Sequence, residues 1–507
     1  MAVAAGGRID VVSPATLEQV GSVAATEPAA VQELVAEAAL AQRAFAETTP
    51  DDRLAILSRV RERVLARADE IAETVVAETG KPRTEAFTSE LFPALDTLAW
   101  LLREAPKLLR PERVRYPQLH LLHKRGRLHH EPLGVVAVVA PWNFPFAIPF
   151  TQAAYAIAAG NAVVLKPSEL TPLSGALAAE LLADGGAPVR VAQGDGEVGA
   201  ALVRAHGVAK VLFTGSSETG RLVAAAAGER LVPVTLELGG KDPMLVLDDA
   251  DLVRAVDGAL WASFFNAGQV CSGVERIYVE TPLYETFVEE LARRARELEV
   301  GPLISAGQRD RVAGLVADAR AGGARVLCGG GALDRPGWFF APTVLADVPR
   351  DAQIERDETF GPVVTVHRVR GEDDAVAAAN GTPYALGASI WTRDAARAAR
   401  VARRLRAGTV WHNDHAYSYG AAQATWGGRG ESGFGRTHGR HGLYDLTAPK
   451  FVDRDSGRVP VPWWYPYDER SADAFRDVLE VLYGSARLRA AWRNRRSLLA
   501  LARRYRR

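Results

Sequence analysis

The chain has 507 residues, 61 Lys and Arg against 61 Asp and Glu, and only two cysteines. At roughly 100–200 residues per domain this length gives several domains with ample cores, and 48% hydrophobic with 24% charged residues excludes a disordered or fibrous chain. A formal net charge of zero gives no reason to expect nucleic acid as a partner, and two thiols cannot staple such a chain, so a cytoplasmic protein with reduced cysteines is expected.

In chain order, Ala2 to Ala5 is too short for an export signal, since Gly6-Gly7, Arg8 and Asp10 follow. Residues 30–110 carry apolar positions at helical spacing in three runs, 30–47, 51–79 and 83–109. From Gly134 to Leu165 no charge occurs, but Pro141, Pro145 and Pro149 break any spanning helix. The spacing predicts strand (135–139), helix (149–159) and strand (162–166) there. Helix 171–184, strand 189–193, helix 198–206 and strand 210–214 follow, the alternation of a parallel sheet. A second alternating run begins at Pro243, with strands at 243–247 and 277–280 and helices at 284–297 and 308–321. Past Pro460 the texture changes to PWWYPY and then to an arginine-rich end.

Three glycine-rich segments bear on chemistry. GDGEVG (194–199) follows a strand and opens a helix, as a dinucleotide turn does, whereas GRGESG (428–433) has no apolar strand before it and reads as a loop. GSSETGR (215–221) lacks the Lys-[Ser/Thr] of a phosphate-binding P-loop, yet Phe213 to Ser216 ends a strand and leads into a helix, where backbone N–H groups can meet a pyrophosphate. Of the two thiols, Cys328 ends an apolar strand and reads as packing. Cys271 sits in FFNAGQVCSGVER among small and amide residues. Glu237, in TLELGGK, stands among apolar residues that raise a carboxylate toward the range of a general base. No metal site is expected.

The segments APWNFP (140–145), LKPSE (165–169), FTGS (213–216), ELGGK (237–241), FNAGQVC (265–271), ETFGPV (358–363) and SGFGR (432–436) together, in order and spacing, resemble the aldehyde dehydrogenase superfamily from about Ile9 to Val452. The resemblance implies an α/β chain with a Rossmann-type cofactor domain (1–114 and 133–238) and an α/β catalytic domain (239–436). It also implies a small β oligomerisation element (115–132 and 437–455), leaving an aromatic and Arg-rich extension at 456–507. The implied activity is NAD(P)-dependent oxidation of an aldehyde to a carboxylate. Cys271 matches the nucleophile, Asn143 the oxyanion amide and Glu237 the base that hydrolyses the thioester. Cofactor positions would be Trp142, Lys166, Glu169, Gly199, Gly215, Ser216, Ser217, Glu218, Thr219, Gly220, Glu358 and Phe360. Among the seven lysines, Lys166, Lys241 and Lys450 fall in or near these motifs, and the last two admit a purely structural role. Glu169 can accept bonds from two ribose hydroxyls and repels a 2′-phosphate, so NAD is favoured while NADP stays open.

The resemblance puts Phe144, Ile148, Tyr417, Tyr419 and Trp426 around a substrate tunnel, an apolar and aromatic lining that suits an apolar or long-chain aldehyde. CSGVERIYV and NDHAYSYG look closest to a branch that includes dehydrogenases of carotenoid-type dialdehydes. The alternatives are a succinate-semialdehyde type, which no evident arginine clamp supports, a CoA-acylating enzyme, which Glu237 opposes, and a non-catalytic scaffold. A homodimer or homotetramer is implied. From Gly484 to Arg507 there are nine arginines and no acid, so residues 1–483 carry 52 basic against 61 acidic residues. That end reads as a solvated basic helix or, with Trp463, Trp464 and Tyr467, as a peripheral contact with an anionic membrane.

Overall fold

The computed structural model describes residues 7–118, 121–458, 461, 463–465, 467 and 469–504. Ala2 to Gly6, Pro460, the two prolines of PWWYPY (Pro462 and Pro466) and the final Tyr505 to Arg507 lie outside them. The chain divides into two compact units, residues 1–109 with 130–448, and residues 110–129 with 449–507.

The larger unit is built on two sheets. The six-stranded sheet runs in the order Gly433–Phe434, Val234–Glu237, Val208–Thr214, Val135–Val139, Ala162–Lys166, Val189–Val191. All its pairings are parallel except the first. The central strands are fully buried runs of Val, Ala and Leu because helices cover both faces, as a parallel sheet requires. From Val135–Val139 the chain winds one way to Ala162–Lys166 and Val189–Val191. It then crosses back to Val208–Thr214 on the other side, which makes a doubly wound sheet with its switch point between these two strands.

The seven-stranded sheet has the order Arg325–Cys328, Thr343–Ala346, Val363–Val369, Val274–Glu280, Asp242–Val246, Gly387–Trp391, Thr409–His412. It is parallel except at Arg325–Cys328. Leu238 to Lys241 join the end of one sheet to the start of the other. The uncharged stretch 134–165 forms strand Val135–Val139, helix Ala147–Ala158 and strand Ala162–Lys166, so its apolar length serves burial inside the unit. Among the described residues no helix is long and apolar enough to cross a membrane.

Two helical expectations change. The run 51–79 is two helices, Pro50–Ala66 and Ala68–Thr79, broken at Arg67 (φ −110°). No Gly or Pro signals the break. Arg67 instead reaches both oxygens of Glu70 and Oε1 of Glu180, each at 2.6 Å, tying the junction to helix Pro172–Asp184. The run 83–109 passes through a π-helical turn, Phe87–Leu91, between Arg83–Ala86 and Phe92–Leu108. Pro93 has no N–H for the carbonyl four residues back, so the helix widens there.

The smaller unit contains the antiparallel pairing of Glu112–Val114 with Lys124–Pro132, in a three-stranded sheet with Thr447–Asp455. Tyr116 donates to Asp453 at 2.8 Å and Lys124 to the same carboxylate at 3.1 Å. The arginine-rich end forms helices Glu469–Tyr483, Arg487–Arg493 and Arg495–Arg504.

Candidate active site

Open parallel sheets bind ligands at the carboxyl ends of their strands, where the winding reverses. At that point a cavity of about 230 Å³ opens, lined by Pro141, Trp142 and Asn143 after one strand and Thr214, Gly215 and Ser216 after the other. Glu237, Cys271, Glu358 and Phe360 complete it, with Gln308 and Arg311. A second cavity, of about 210 Å³, is lined by Phe144, Trp261, Phe265, Val270, Tyr417 and Tyr419 among others, with no charged side chain. Only Ile148 and Cys271 line both. The thiol therefore stands where a polar chamber and an aromatic one meet.

The turn that presents Cys271 is strained and held. Asn266, Ala267 and Gly268 are consecutively left-handed (φ 52°, 54° and 68°), which costs a non-glycine residue about 1–2 kcal/mol each. Glu85 accepts the Asn266 N–H at 3.0 Å, and the Gln269 amide bonds the Asn266 carbonyl at 3.1 Å and the Ile304 N–H at 2.9 Å. Beyond the thiol, His415 Nε2 lies 2.7 Å from the Ser272 carbonyl oxygen, and burial lowers this imidazole to about 4, so it is a neutral donor. Burial, followed by the carboxyl groups of Glu358, Glu237 and Asp242 where they ionise, pushes the Cys271 thiol far up.

Glu237 ends strand Val234–Glu237 and is buried, which raises its carboxyl to about 8. Arg436, Thr437 (3.4 Å to Oε1) and the Trp426 indole oppose that rise, while Oε2 is buried without a partner. Glu358 is likewise raised to about 8 by burial, and its Oε1 accepts the Gly240 N–H at 2.9 Å. The paired glycines are demanded by contact: a Cβ at Gly239 would stand 2.3 Å from Glu358 Oε2, and one at Gly240 2.3 Å from the Cys271 carbonyl oxygen. Asn143 is buried, and its amide donates to the Gln269 carbonyl at 3.0 Å. Trp142 meets the Phe360 ring edge-on at 5.3 Å, with Phe360 left-handed at φ 51°.

The remaining positions divide. Lys166 pairs with Glu169 at 3.2 Å at the end of strand Ala162–Lys166. Of residues 215–220 only Gly215 and Ser216 line the polar cavity. Ser216 caps helix Ser217–Gly228 by accepting the Thr219 N–H at 3.2 Å, Ser217 donates to the Glu431 carbonyl at 2.7 Å, Glu218 occupies the first turn, and Gly220 packs on Leu238. GDGEVG follows the edge strand Val189–Val191 rather than the switch point, so Gly199 lies outside the cavity, 3.9 Å from the Lys166 stem measured from a Cβ placed on it.

Trp426 needs a correction. It is 1% exposed, packs on Trp411 and Tyr419, pairs its backbone with Thr437 and faces Glu237, so it does not line the apolar cavity. That antiparallel bridge is a tertiary pairing the local sequence does not signal. Trp261, in helix Leu252–Phe264, and Phe265, just past its end, were missed as lining residues; their rings stack with centres 5.0 Å apart, a pairing made by the chain's turn out of the helix. GRGESG is not an independent loop: Gly433 pairs with Glu237 and extends the six-stranded sheet.

The model of the aldehyde dehydrogenase family matches residues 2–452. The chain belongs to the aldehyde dehydrogenase family. Among curated relatives, this aldehyde dehydrogenase is 40% identical over 471 residues to a betaine aldehyde dehydrogenase of Cereibacter sphaeroides, covering 90% of this chain and 96% of the relative. It is 37% identical over 505 residues to a 4,4′-diapolycopene aldehyde oxidase of a Methylomonas species, covering 97% and 94%. Among solved structures, an aldehyde dehydrogenase of Bacillus cereus in complex with NAD⁺ has a TM-score of 0.85 at 33% identity, covering 90% of this chain and 95% of that one. An NADP-dependent enzyme of E. coli has a TM-score of 0.85 at 36% identity, covering 90% and 96%. The enzyme is thus an oxidoreductase of mixed α/β architecture, as the motifs implied.

Proposed function

We propose that this enzyme oxidises an apolar, extended aldehyde to its carboxylic acid with NAD, through a covalent intermediate on Cys271. The observation that carries this is the place of the thiol between a polar chamber lined by the motif residues and an uncharged aromatic one. Cys271 loses its S–H proton to the Glu237 carboxylate, which passes it to solvent, and the sulfur attacks the aldehyde carbon to give a thiohemiacetal whose oxyanion the Asn143 amide and the Cys271 N–H hold. Ser216 and Glu358 would hold NAD in the polar chamber, and the bound cofactor would supply the hydride acceptor that lets the thiohemiacetal become a thioester. Glu237 then takes a proton from the water that opens the thioester, a role suited to a buried carboxyl whose Oε2 has no partner.

The chamber fits the cofactor in two respects. Its glycines leave Glu358 room to face the space, and Ser216 opens a helix whose N–H groups suit a pyrophosphate. The Lys166–Glu169 pair, at the end of the neighbouring strand, suits a ribose with free hydroxyls, which favours NAD over NADP. Residues 1–114 and 133–238 serve the cofactor in this reading, 239–436 the chemistry, and 115–132 with 437–455 oligomerisation. The edge strand Thr409–His412, with no further partner strand among the described residues, suits a homodimer or homotetramer, and the two free thiols suit a cytoplasmic place. The tail enters as a peripheral membrane contact, where an apolar aldehyde would be dissolved.

The aromatic chamber favours one second reading. Rings of Phe144, Trp261, Phe265, Tyr417 and Tyr419 also suit a quaternary ammonium aldehyde, such as the one named for the Cereibacter relative. NADH formation over a panel of betaine aldehyde, succinate semialdehyde, long alkanals and polyene aldehydes, without CoA, separates the readings. The highest kcat/KM is expected with a long apolar aldehyde and NAD; preference for a short charged substrate, a CoA requirement or superior NADP would each overturn the corresponding part.

A further inference from the structure

A lysine and a glutamate, Lys81 and Glu90, are buried together beneath the oxyanion segment, their side chains 1% and 0% exposed and 2.8 Å apart. Lys81 Nζ also donates to the Asn143 carbonyl at 2.9 Å and stands 4.6 Å from the centre of the Phe144 ring. Glu90 uses its second oxygen to accept the Phe146 and Ala147 N–H groups at 3.1 and 2.7 Å. The pair thus grips both ends of residues 143–147, the turn between strand Val135–Val139 and helix Ala147–Ala158. Asn266, in the strained turn before Cys271, adds its amide to the same Asn143 carbonyl at 3.0 Å.

A buried ion pair is a poor way to gain stability, because an apolar pair of like volume serves as well or better. What it supplies is fixed position: the ammonium has its acceptors at set distances, and the carboxylate sits at a helix N-terminus where its charge is favoured. Glu90 also belongs to the π-helical turn Phe87–Leu91, a feature that recurs where a side chain must be re-aimed for function.

We propose that Lys81 and Glu90 are positioning residues for the reaction, holding the Asn143 amide at the oxyanion through its own backbone. The proposal rests on the reading of Asn143 as the oxyanion donor, and the experiment separates the two. The variants are Asn143→Ala, the charge-neutral pair Lys81→Met/Glu90→Gln, and the three changes combined. Three quantities are read: kcat for a long alkanal, the cofactor-independent hydrolysis of 4-nitrophenyl acetate, and the NAD dissociation constant from fluorescence.

Asn143→Ala should lose about 10²–10³-fold in kcat and in ester hydrolysis. The neutral pair should lose roughly 10–100-fold in both, with unchanged NAD affinity, since misplacing a reacting group by an ångström has that cost. The combined variant should be no slower than Asn143→Ala alone. Wild-type rates in the neutral pair, multiplying losses in the combined variant, or a loss confined to NAD affinity would overturn the proposal. Wild-type rates in Asn143→Ala would overturn the underlying reading instead. If the neutral pair does not accumulate as folded protein, Lys81→Arg, which keeps the charge and shifts the donors, takes its place in the same cycle under the same criteria.

Discussion

At Glu237, burial and chemistry pull against each other. The site that removes water from the carboxylate also raises it to about 8, so the basic form fills only as the pH climbs through that value. Turnover limited by thioester hydrolysis should therefore rise up to about pH 8 and then level. In Glu237→Gln the rising limb should vanish and kcat fall about 10²–10⁴-fold, leaving a burst of one NADH per site. An unchanged pH profile in the variant would assign the base elsewhere. Stability runs the opposite way. The folded chain keeps a proton that the unfolded chain releases above its ordinary 4.5, so Glu237 weakens the fold progressively between about 4.5 and 8. At this scale the sequence was most legible: Cys271 and Glu237 are marked as candidates by residue type and company, and Asn143 by the family resemblance. What it hid were groups whose partners lie far along the chain, such as Lys81 with Asn143 and His415 with Ser272.

Between elements, the buried pair Lys241–Glu275 links the starts of strands Asp242–Val246 and Val274–Glu280. Glu275 accepts the Thr359 and Phe360 N–H groups at 2.8 and 2.9 Å, and Lys241 bonds the Thr359 hydroxyl at 3.1 Å. The loop that carries Glu358 is thus fixed from the sheet beneath it. Removing one partner strands the other charge, so Glu275→Ala should cost about 3–5 kcal/mol. That cost would be read as a lower urea midpoint at unchanged slope, together with a raised KM for NAD. Element types and order were legible in the segments the sequence marked, because strand and helix periods are local; strands such as Val363–Val369 and Gly387–Trp391 went unmarked. The break at Arg67 and the short strand at Gly433 were not: no Gly or Pro marks the first, where Arg67 bonds both Glu70 and the distant Glu180, and the second is paired with the distant Glu237.

For the whole molecule, the acidic balance of residues 1–483 and the nine arginines after Gly484 invite a division of labour. Large side chains stay exposed in the end helices, with Leu488 at 89% and Trp492 at 73%, and Trp464 before them at 69%. The apolar and cationic groups together suit an anionic bilayer surface. A chain ending at Ser456 should keep kcat on a water-soluble aldehyde yet lose co-sedimentation with phosphatidylserine vesicles, and the full chain should lose it at high salt. Equal recovery of both in the supernatant would remove the membrane from the account.

The sequence by itself pointed to the family, to the alternation of strands and helices in the segments it marked, and to Cys271 as the candidate thiol, because these rest on local spacing and on residues whose chemistry few others share. Only the tertiary structure decided which face each residue serves. Trp426 turned to Glu237 instead of the aromatic cavity, Gly199 fell outside the chamber at the switch point, and Ile148 with Cys271 became the boundary between two cavities. Such assignments depend on which distant segments the sheets bring together, and no local period carries that information.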